Sequence, residues 1–184
     1  ANGLTVRGVD VRQAELESLY EGKVRFVAKE EAIATSDVIV NVMNLTRNKE
    51  SKFYNVGYFS RECLAKAKDG LIFINVTRGE IAPETTLLEL YLAGKISGIG
   101  LDVFSGEAEL AKALNSGATA GGDLAAAKRL IEMALDRSAN IYVQPHQAFN
   151  SDVAAKTKAV EAIKHVVAWY RNGGKGFAEQ LPYY

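Results

Sequence analysis

Six short apolar runs recur along the 184-residue chain, and helix-like amphipathic stretches separate most of them. The β-like runs are residues 4–10, 24–27, 37–43, 71–76, 96–104 and 140–144. The helical stretches are residues 13–20, 60–69, 83–95, 124–137 and 152–173. Strands that alternate with helices are typical of βαβ units. The sequence therefore predicts an α/β fold with a doubly wound parallel sheet and helices on both faces.

Two glycine-containing sites mark predicted helix ends, and residues 115–122 form a flexible-looking loop. Gly94 follows a leucine-rich amphipathic stretch, and Asn172 with the two glycines after it follows the last one. Gly and Asn tolerate the left-handed conformation that closes many helices. We therefore expect one helix to end just before Gly94 and another at Asn172.

Composition excludes several classes of function. Lys plus Arg and Asp plus Glu number 22 each, and no basic block stands out, so nucleic acid is not an expected partner. The apolar runs are far shorter than the roughly 18 residues of a membrane span. The single cysteine, Cys63, cannot form an internal disulfide, and no Cys/His cluster has metal-ligand spacing. We expect a cytoplasmic protein without a metal.

Four polar residues stand at or just after the ends of β-like runs: Asp10, Arg78, Asp102 and His146. In an open parallel sheet, ligands bind beyond the carboxyl ends of the strands, so these side chains are candidates for one site. Each also has a structural interpretation. Asp10 suits a helix cap or turn, Asp102 a structural hydrogen bond, and the other two a surface or loop position.

Three ordered motifs favour the functional interpretation. They are INVTRGE at 74–80, LLELYLAGKISGIGLDVFSGE at 87–107 and VQPHQAFN at 143–150. With these motifs in this order and at this spacing, the chain resembles the D-isomer-specific 2-hydroxyacid dehydrogenases, which reduce 2-oxo acids with a nicotinamide cofactor. The resemblance runs from about residue 3 to about residue 172. Residues 34–46 resemble the strand that leads into the family's cofactor loop, except that Asn44 stands where the family usually has Pro.

The resemblance implies three catalytic residues, Arg78, Glu107 and His146. A planar guanidinium can bind the carboxylate and carbonyl oxygens of a 2-oxo acid in a fork, which implies that Arg78 binds substrate. Histidine, with an ordinary pKa of about 6.5, suits proton transfer to the developing alkoxide. A neighbouring carboxylate, here Glu107, would favour the imidazolium and hold one tautomer.

The resemblance also implies an NAD site. Asp10 would accept hydrogen bonds from the adenosine ribose and repel the 2′-phosphate of NADP, although Arg12 nearby weakens that preference. Asp102 would contact the nicotinamide carboxamide. Further cofactor contacts are implied for Met43, Asn44, Val76, Thr77 and Arg78. Phe149 resembles an aromatic residue near the substrate in members that act on small acids such as lactate.

A Rossmann domain opens with a strand and a G-x-G-x-x-G loop, and this chain contains neither at the expected place. Two or three lost hydrogen bonds to phosphate, at ~1.5 kcal/mol each, would weaken cofactor binding on the order of a hundred- to a thousandfold. We therefore expect a partial dinucleotide-binding domain over 1–150. Residues 151–184 would form a C-terminal helix and tail that return to an absent substrate domain.

Two functions remain open at this point. The first is a fragment of an NAD-dependent D-2-hydroxyacid dehydrogenase that acts on a small, D-lactate-like acid. Its partner would be a missing N-terminal segment of the same or a complementary chain, the complete protein a homodimer, and this chain alone inactive. The second is a non-catalytic dinucleotide-sensing or protein-interaction module on the same fold. The three catalytic residue types favour the first, and the absent phosphate loop favours the second.

Overall fold

The computed structural model describes residues 3–117, 121–147 and 150–176, and the chain divides into two compact units. The first unit is Ala1–Pro145 and the second is His146–Tyr184. The functional division after residue 150, which the sequence indicates, stays a prediction.

All six strands of the described chain pair in parallel, which confirms the predicted α/β fold. The strands are β1 (Arg7–Gly8), β2 (Arg25–Phe26), β3 (Val38–Asn41), β4 (Leu71–Asn75), β5 (Ile96–Leu101) and β6 (Ile141–Val143). They form two sheets, β1-β2 and β3-β4-β5-β6. Each strand lies within a predicted β-like run and is shorter than that run.

Seven α-helices and one 3₁₀ helix, Gly79–Ile81, occupy the described residues. The α-helices are α1 (Gln13–Leu19), α2 (Lys29–Thr35), α3 (Arg61–Leu64), α4 (Glu84–Leu92), α5 (Glu107–Ser116), α6 (Gly122–Leu135) and α7 (Asp152–Arg171). The predicted helix ends are confirmed, because Gly94 has φ 75° just after α4 and Asn172 caps α7.

The sequence did not predict α2 and α5. In α2 only Ile33 is buried, and in α5 only Leu110 and Ala113 are. Neither helix therefore has the broad apolar stripe by which an amphipathic helix is recognised in a sequence. The loop expected at 115–122 is also too long, because α5 continues to Ser116 and α6 begins at Gly122. Residues 118–120 lie outside the described residues.

The core of the first unit is built around β4. Leu71 and Phe73 of this strand are fully buried, as are Leu87 of α4 and Leu130 of α6. Burying a side chain of this size contributes about 1.5–3 kcal/mol, so these residues fix β4 firmly between its neighbours. A rigid β4 gives the residues that follow it, from Val76 onward, a well-defined starting position.

Four strand edges, those of β1, β2, β3 and β6, have no neighbour among the described residues. β1 pairs only with β2, and β3 pairs only with β4, where a doubly wound sheet would place a central strand between β1 and β3. Val38 and Val40 of β3, and Val42 just after it, alternate along the chain and are exposed, so one face of this strand is uncovered as well. The sequence predicts the open edges of β1 and β3 from the missing first strand.

The second unit consists mainly of α7. Ser151 caps its first turn, because its Oγ accepts a hydrogen bond from Ala154 N at 3.1 Å. No residue of α7 is buried, and Val160, Ile163 and Val167 form an exposed apolar stripe along it. Within the described ranges, no helix is both long and apolar enough to cross a membrane.

Candidate active site

Three neighbouring strands, β3, β4 and β5, end at the same level of the sheet. Asn41 of β3 lies opposite Asn75 of β4, and Asn75 lies opposite Leu101 of β5. Because the strands are parallel, the residues that follow them emerge at one edge. The structure thus brings together the segments that carry Met43, Asn44, Val76, Thr77, Arg78 and Asp102.

Arg78 lies three residues beyond β4, in extended backbone that precedes the 3₁₀ helix. Its side chain is exposed, and Nη1 donates a hydrogen bond to the carbonyl oxygen of Thr77 at 2.7 Å. The guanidinium therefore lies beyond the buried strand, where an anionic ligand can contact it. Val76 is exposed and Thr77 is half-buried beside it.

Asp102 and Glu107 follow β5. Asp102 is only 5% exposed, and its backbone N–H donates to the carbonyl oxygen of Asn75 at 3.0 Å. Glu107 is exposed at the start of α5, where its Oε1 accepts a hydrogen bond from Phe104 N at 3.3 Å. This bond holds the Glu107 carboxylate against the loop that joins β5 to α5.

His146 begins the second unit, directly after Pro145. Its φ of 53° lies in the left-handed region, which non-glycine residues seldom adopt and which often marks functional sites. Within the first unit, the backbone N–H of Gln144 donates to Leu101 O at 2.8 Å and extends the pairing of β6 with β5. The approach of His146 to Arg78 and Glu107 stays a prediction. Phe149 lies outside the described residues.

Asp10 has the turn role that the sequence left open. Its Oδ1 accepts a hydrogen bond from Arg12 N at 2.8 Å, and Arg12 Nε lies 3.9 Å from the same oxygen. The carboxylate is still 37% exposed, so it remains accessible to a ligand. The ribose contact implied for Asp10 stays a prediction, and Arg12 is as close as the sequence suggests.

Asn44 belongs to a loop that a buried asparagine holds in place. Asn55 is 8% exposed, its Nδ2 donates to Asn44 O at 2.7 Å, and its Oδ1 accepts from Thr46 N at 2.7 Å. Met43 packs partly buried against the core, whereas the Asn44 side chain is exposed. These bonds fix the loop at the position where the family usually has Pro.

Two carboxylic acids near Arg78 are perturbed in opposite directions. Partial burial disfavours the charge of Glu80, but a hydrogen bond to its own backbone and one from Arg47 outweigh burial and lower its pKa. Burial raises the pKa of Glu84, which is 1% exposed, although its Oε1 accepts a hydrogen bond from Ser105 N at 2.6 Å. Glu84 therefore joins α4 to the loop after β5.

Sequence reasoning overlooked the buried polar residues Asn41, Asn55, Asn75 and Glu84 as parts of this site. A signal existed for two of them. Asn41 is the last residue of the run VIVN, and Asn75 is the last residue of LIFIN. Because both stand at the ends of strands that pair in parallel, their side-chain amides are expected to lie next to each other. Among the described residues, no group of three His, Cys, Asp or Glu side chains could hold a metal ion.

An α/β domain with polar side chains at the carboxyl ends of parallel strands is of the dinucleotide-binding class. The model of the family "D-isomer specific 2-hydroxyacid dehydrogenase, NAD binding domain" matches residues 1–148 of the chain. The chain therefore belongs to the D-isomer-specific 2-hydroxyacid dehydrogenase family, as the motifs indicate.

Individual relatives agree with this assignment. Human glyoxylate reductase/hydroxypyruvate reductase is 34% identical over 96 residues, which cover 52% of this chain and 27% of that protein. D-lactate dehydrogenase from Aquifex aeolicus, solved with NAD and lactic acid, is 27% identical with a TM-score of 0.72, over 94% of this chain and 47% of that one. A D-lactate dehydrogenase from Treponema pallidum is 23% identical, with a TM-score of 0.73 over 98% of this chain and 49% of that one, and it supports the fold. The chain thus spans about half the length of these structures.

NAD, the cofactor of the family's domain, fits part of this edge. The exposed Val76 offers an apolar surface for a pyridine ring, and the carboxyl of Asp102 is buried beside the strand ends. Asp10 keeps a partly exposed carboxylate for the ribose. A glycine-rich loop between a strand and a helix, which would cradle the pyrophosphate, does not occur in the described part of the chain.

Proposed function

We propose that this chain is part of an oxidoreductase that transfers a hydride between NAD(H) and a small 2-hydroxy or 2-oxo acid of the D-lactate type. One observation carries the proposal: the exposed Arg78 guanidinium and the buried Asp102 carboxyl follow adjacent parallel strands in a domain of this family. The similarity to a D-lactate dehydrogenase solved with NAD and lactic acid supports the choice of substrate class.

Substrate binding is the role of Arg78 in this proposal. Its guanidinium has parallel N–H donors that match the two oxygens of a carboxylate. The same donors withdraw electron density from the adjacent carbonyl, which favours attack at the carbonyl carbon. Phe149 would flank the small side chain of the acid.

Proton transfer is the role of His146, and Glu107 supports it. During reduction His146 would donate a proton to the alkoxide oxygen, and during oxidation the neutral imidazole would accept the hydroxyl proton. The carboxylate of Glu107 would stabilise the imidazolium and orient its ring. The unusual backbone conformation of His146 agrees with a functional constraint at this residue.

Bound NAD supplies the hydride chemistry, and residues of this chain would hold its two ends. Asp102 would accept a hydrogen bond from the carboxamide, while Val76 and Thr77 line the pyridine side. Met43 and Asn44 would contact the cofactor from the β3 loop. Asp10 would bind the adenosine ribose, which favours NAD over NADP.

The active protein also needs a complementary N-terminal segment, from the same chain or from a second one. The unpaired edges of β1 and β3, and the exposed valines of β3, are sites for a parallel strand with its covering helix. A glycine-rich turn after that strand would supply the phosphate contacts. Without this segment we expect no activity, and the complete protein would be a cytoplasmic homodimer.

The experiment is to determine the intact mass and N-terminal sequence of the natural protein, and to assay it with NADH and glyoxylate or pyruvate. Oxidation of NADH that is abolished by His146→Ala, and that needs a much higher glyoxylate concentration in Arg78→Ala, would support the proposal. Binding of NADH without turnover by the natural protein would refute it and favour the dinucleotide-sensing module. Arg129→Ala, on the exposed part of α6, is the control and should keep full activity.

A further inference from the structure

We propose that Asn41 and Asn75 form a buried amide pair that positions Arg78 and Thr77, so that both asparagines are positioning residues of the active site. This inference rests on the proposed function, because it assigns a purpose to the position of Arg78. Neither amide is expected to touch substrate. Their effect is exerted through the loop that follows β4.

The two side chains meet inside the sheet. Asn41 and Asn75 are each 1% exposed and lie opposite each other on β3 and β4. Asn41 Nδ2 donates to Asn75 Oδ1 at 2.9 Å and to Thr77 Oγ1 at 2.9 Å. Both N–H groups of the Asn41 amide are thereby used, and water is excluded from the pair.

The remaining atoms of the pair bind the loops on either side. Asn75 Nδ2 donates to Arg78 O at 2.9 Å, and Asn75 Oδ1 also accepts from Thr77 N at 3.2 Å. Asn41 Oδ1 accepts from Met43 N at 3.1 Å. The pair therefore holds the turn at 76–78 at two backbone points, and it fixes the start of the β3 loop as well.

Only an amide can satisfy this arrangement. Each asparagine donates and accepts at the same time, whereas an aspartate has no donor when ionised and a leucine has neither function. In a buried, low-dielectric setting each of these bonds is strong, and an unpaired amide is costly. Two asparagines at the ends of apolar strands would be a poor choice for stability alone, and a good one for defining the turn.

The consequence concerns substrate affinity. The Arg78 side chain starts from a backbone unit whose carbonyl is held by Asn75, so loss of this bond frees the guanidinium to move relative to the strand ends. A displacement of about 1 Å in a positioning group can cost on the order of a hundredfold in rate. We expect Asn75→Leu to raise KM for glyoxylate between about ten- and a hundredfold, with a smaller change in the Kd of NADH.

The test uses the complete protein and five variants: Asn75→Leu, Asn41→Leu/Asn75→Leu, Arg78→Ala, Arg78→Ala/Asn75→Leu and Asn140→Leu. The last is the matched control, because Asn140 Nδ2 also donates to a backbone carbonyl, Ser97 O at 2.9 Å, but near the amino end of β5. For each variant we would measure KM and kcat with glyoxylate, Kd for NADH, and the free energy of unfolding in urea.

A positioning role and a purely structural role give different patterns. The double leucine variant replaces both amides by apolar side chains of the same branched shape, so it should regain part of the stability lost in Asn75→Leu. Its KM should nevertheless stay raised at least tenfold. In the Arg78→Ala background, Asn75→Leu should change KM less than about threefold, because both changes act through one group. Asn140→Leu should leave KM unchanged.

The inference would be overturned if KM returned to the wild-type value together with stability in the double leucine variant. It would also be overturned if the effect of Asn75→Leu added in full to that of Arg78→Ala. These outcomes leave the proposed function intact. An unchanged KM in Arg78→Ala alone would instead refute the proposed function, and the inference with it.

Discussion

Gly79 lies where the active-site segment touches the loop after β5, and its replacement by alanine tests how closely these two parts pack. A Cβ placed on Gly79 would lie 2.0 Å from Ser105 N and 2.1 Å from the carbonyl carbon of Phe104. Cβ atoms essentially never come within 3.0 Å of such neighbours, so the backbone has to move by about 1 Å. Gly79 is itself buried, which leaves the added methyl group no other direction.

The expected cost follows from this geometry. Overpacking of a well-packed interior costs about 1–3 kcal/mol, and a clash with the backbone of the Phe104–Ser105 peptide, which cannot rotate away as a side chain can, belongs at the upper end. A loss of about 3 kcal/mol would lower Tm by roughly 6–12 °C in a domain of this size. Gly100→Ala is the matched control, because its Cβ would lie 3.4 Å from Ile74 Cγ1, an ordinary contact. We expect that variant to change stability by less than about 1 kcal/mol.

Thermal and urea unfolding of the wild type, Gly79→Ala and Gly100→Ala would measure these differences. Gly79 follows the end of β4, and Gly100 lies near the end of the neighbouring β5. If this region were sensitive to any alanine, both variants would be destabilised. A Gly79→Ala protein that melts within about 2 °C of the wild type would refute the packing argument. The segment that carries Arg78 and the loop before Glu107 would then be less tightly joined than the contact implies.

Three further predictions concern charged groups. Burial raises the pKa of Glu84 above its ordinary value near 4.5, so the stability it contributes is greatest below that value and is lost as pH rises through the raised pKa. Glu84→Gln should therefore gain stability relative to the wild type as pH increases, measured by urea unfolding, and a pH-independent difference would contradict this. Arg47→Ala should raise the pKa of Glu80 toward its ordinary value in an NMR titration, and because Arg47 is exposed the loss in stability should stay below about 1 kcal/mol. That loss should appear at neutral pH and vanish as pH falls through the lowered pKa, whereas an unmoved Glu80 would show that the pair is not formed. In the complete protein, His146→Ala should lower kcat far more than it raises the Kd of NAD, and Asp10→Ala should do the reverse; equal effects would contradict both roles.

The strands could be predicted from sequence because burial on both faces leaves a continuous apolar run. Residues 71–74, LIFI, are such a run and form most of β4. Strand ends were less predictable, since hydrogen-bond pairing and not hydrophobicity decides where a strand stops. β5 ends at Leu101, for example, although Val103 and Phe104 are buried as well.

Candidate contact residues could be proposed from the sequence, because the motifs identify side chains that follow strand ends. The supporting residues could not, since their roles depend on partners distant in sequence. Asn41 and Asn75 are 34 residues apart, and Glu84 binds a backbone N–H 21 residues away. A buried polar residue reveals its function only through the atoms it contacts, and hydropathy patterns carry no record of those atoms.

The open edges of β1 and β3 bear on the stability of the sheet and on the cofactor site. Backbone groups on an unpaired edge must otherwise bind water, and the exposed valines of β3 gain nothing there. A central strand would satisfy both, and it would also bring its glycine-rich turn to the same carboxyl edge at which Arg78 and Asp102 stand. If the proposed segment supplies that strand, we expect completion of the sheet and completion of the cofactor site to occur together. Addition of the complementary segment should protect the backbone amides of Val38 and Val40, which alternate with those that face β4, from hydrogen exchange and raise NADH affinity together. Protection without a gain in affinity would separate the two.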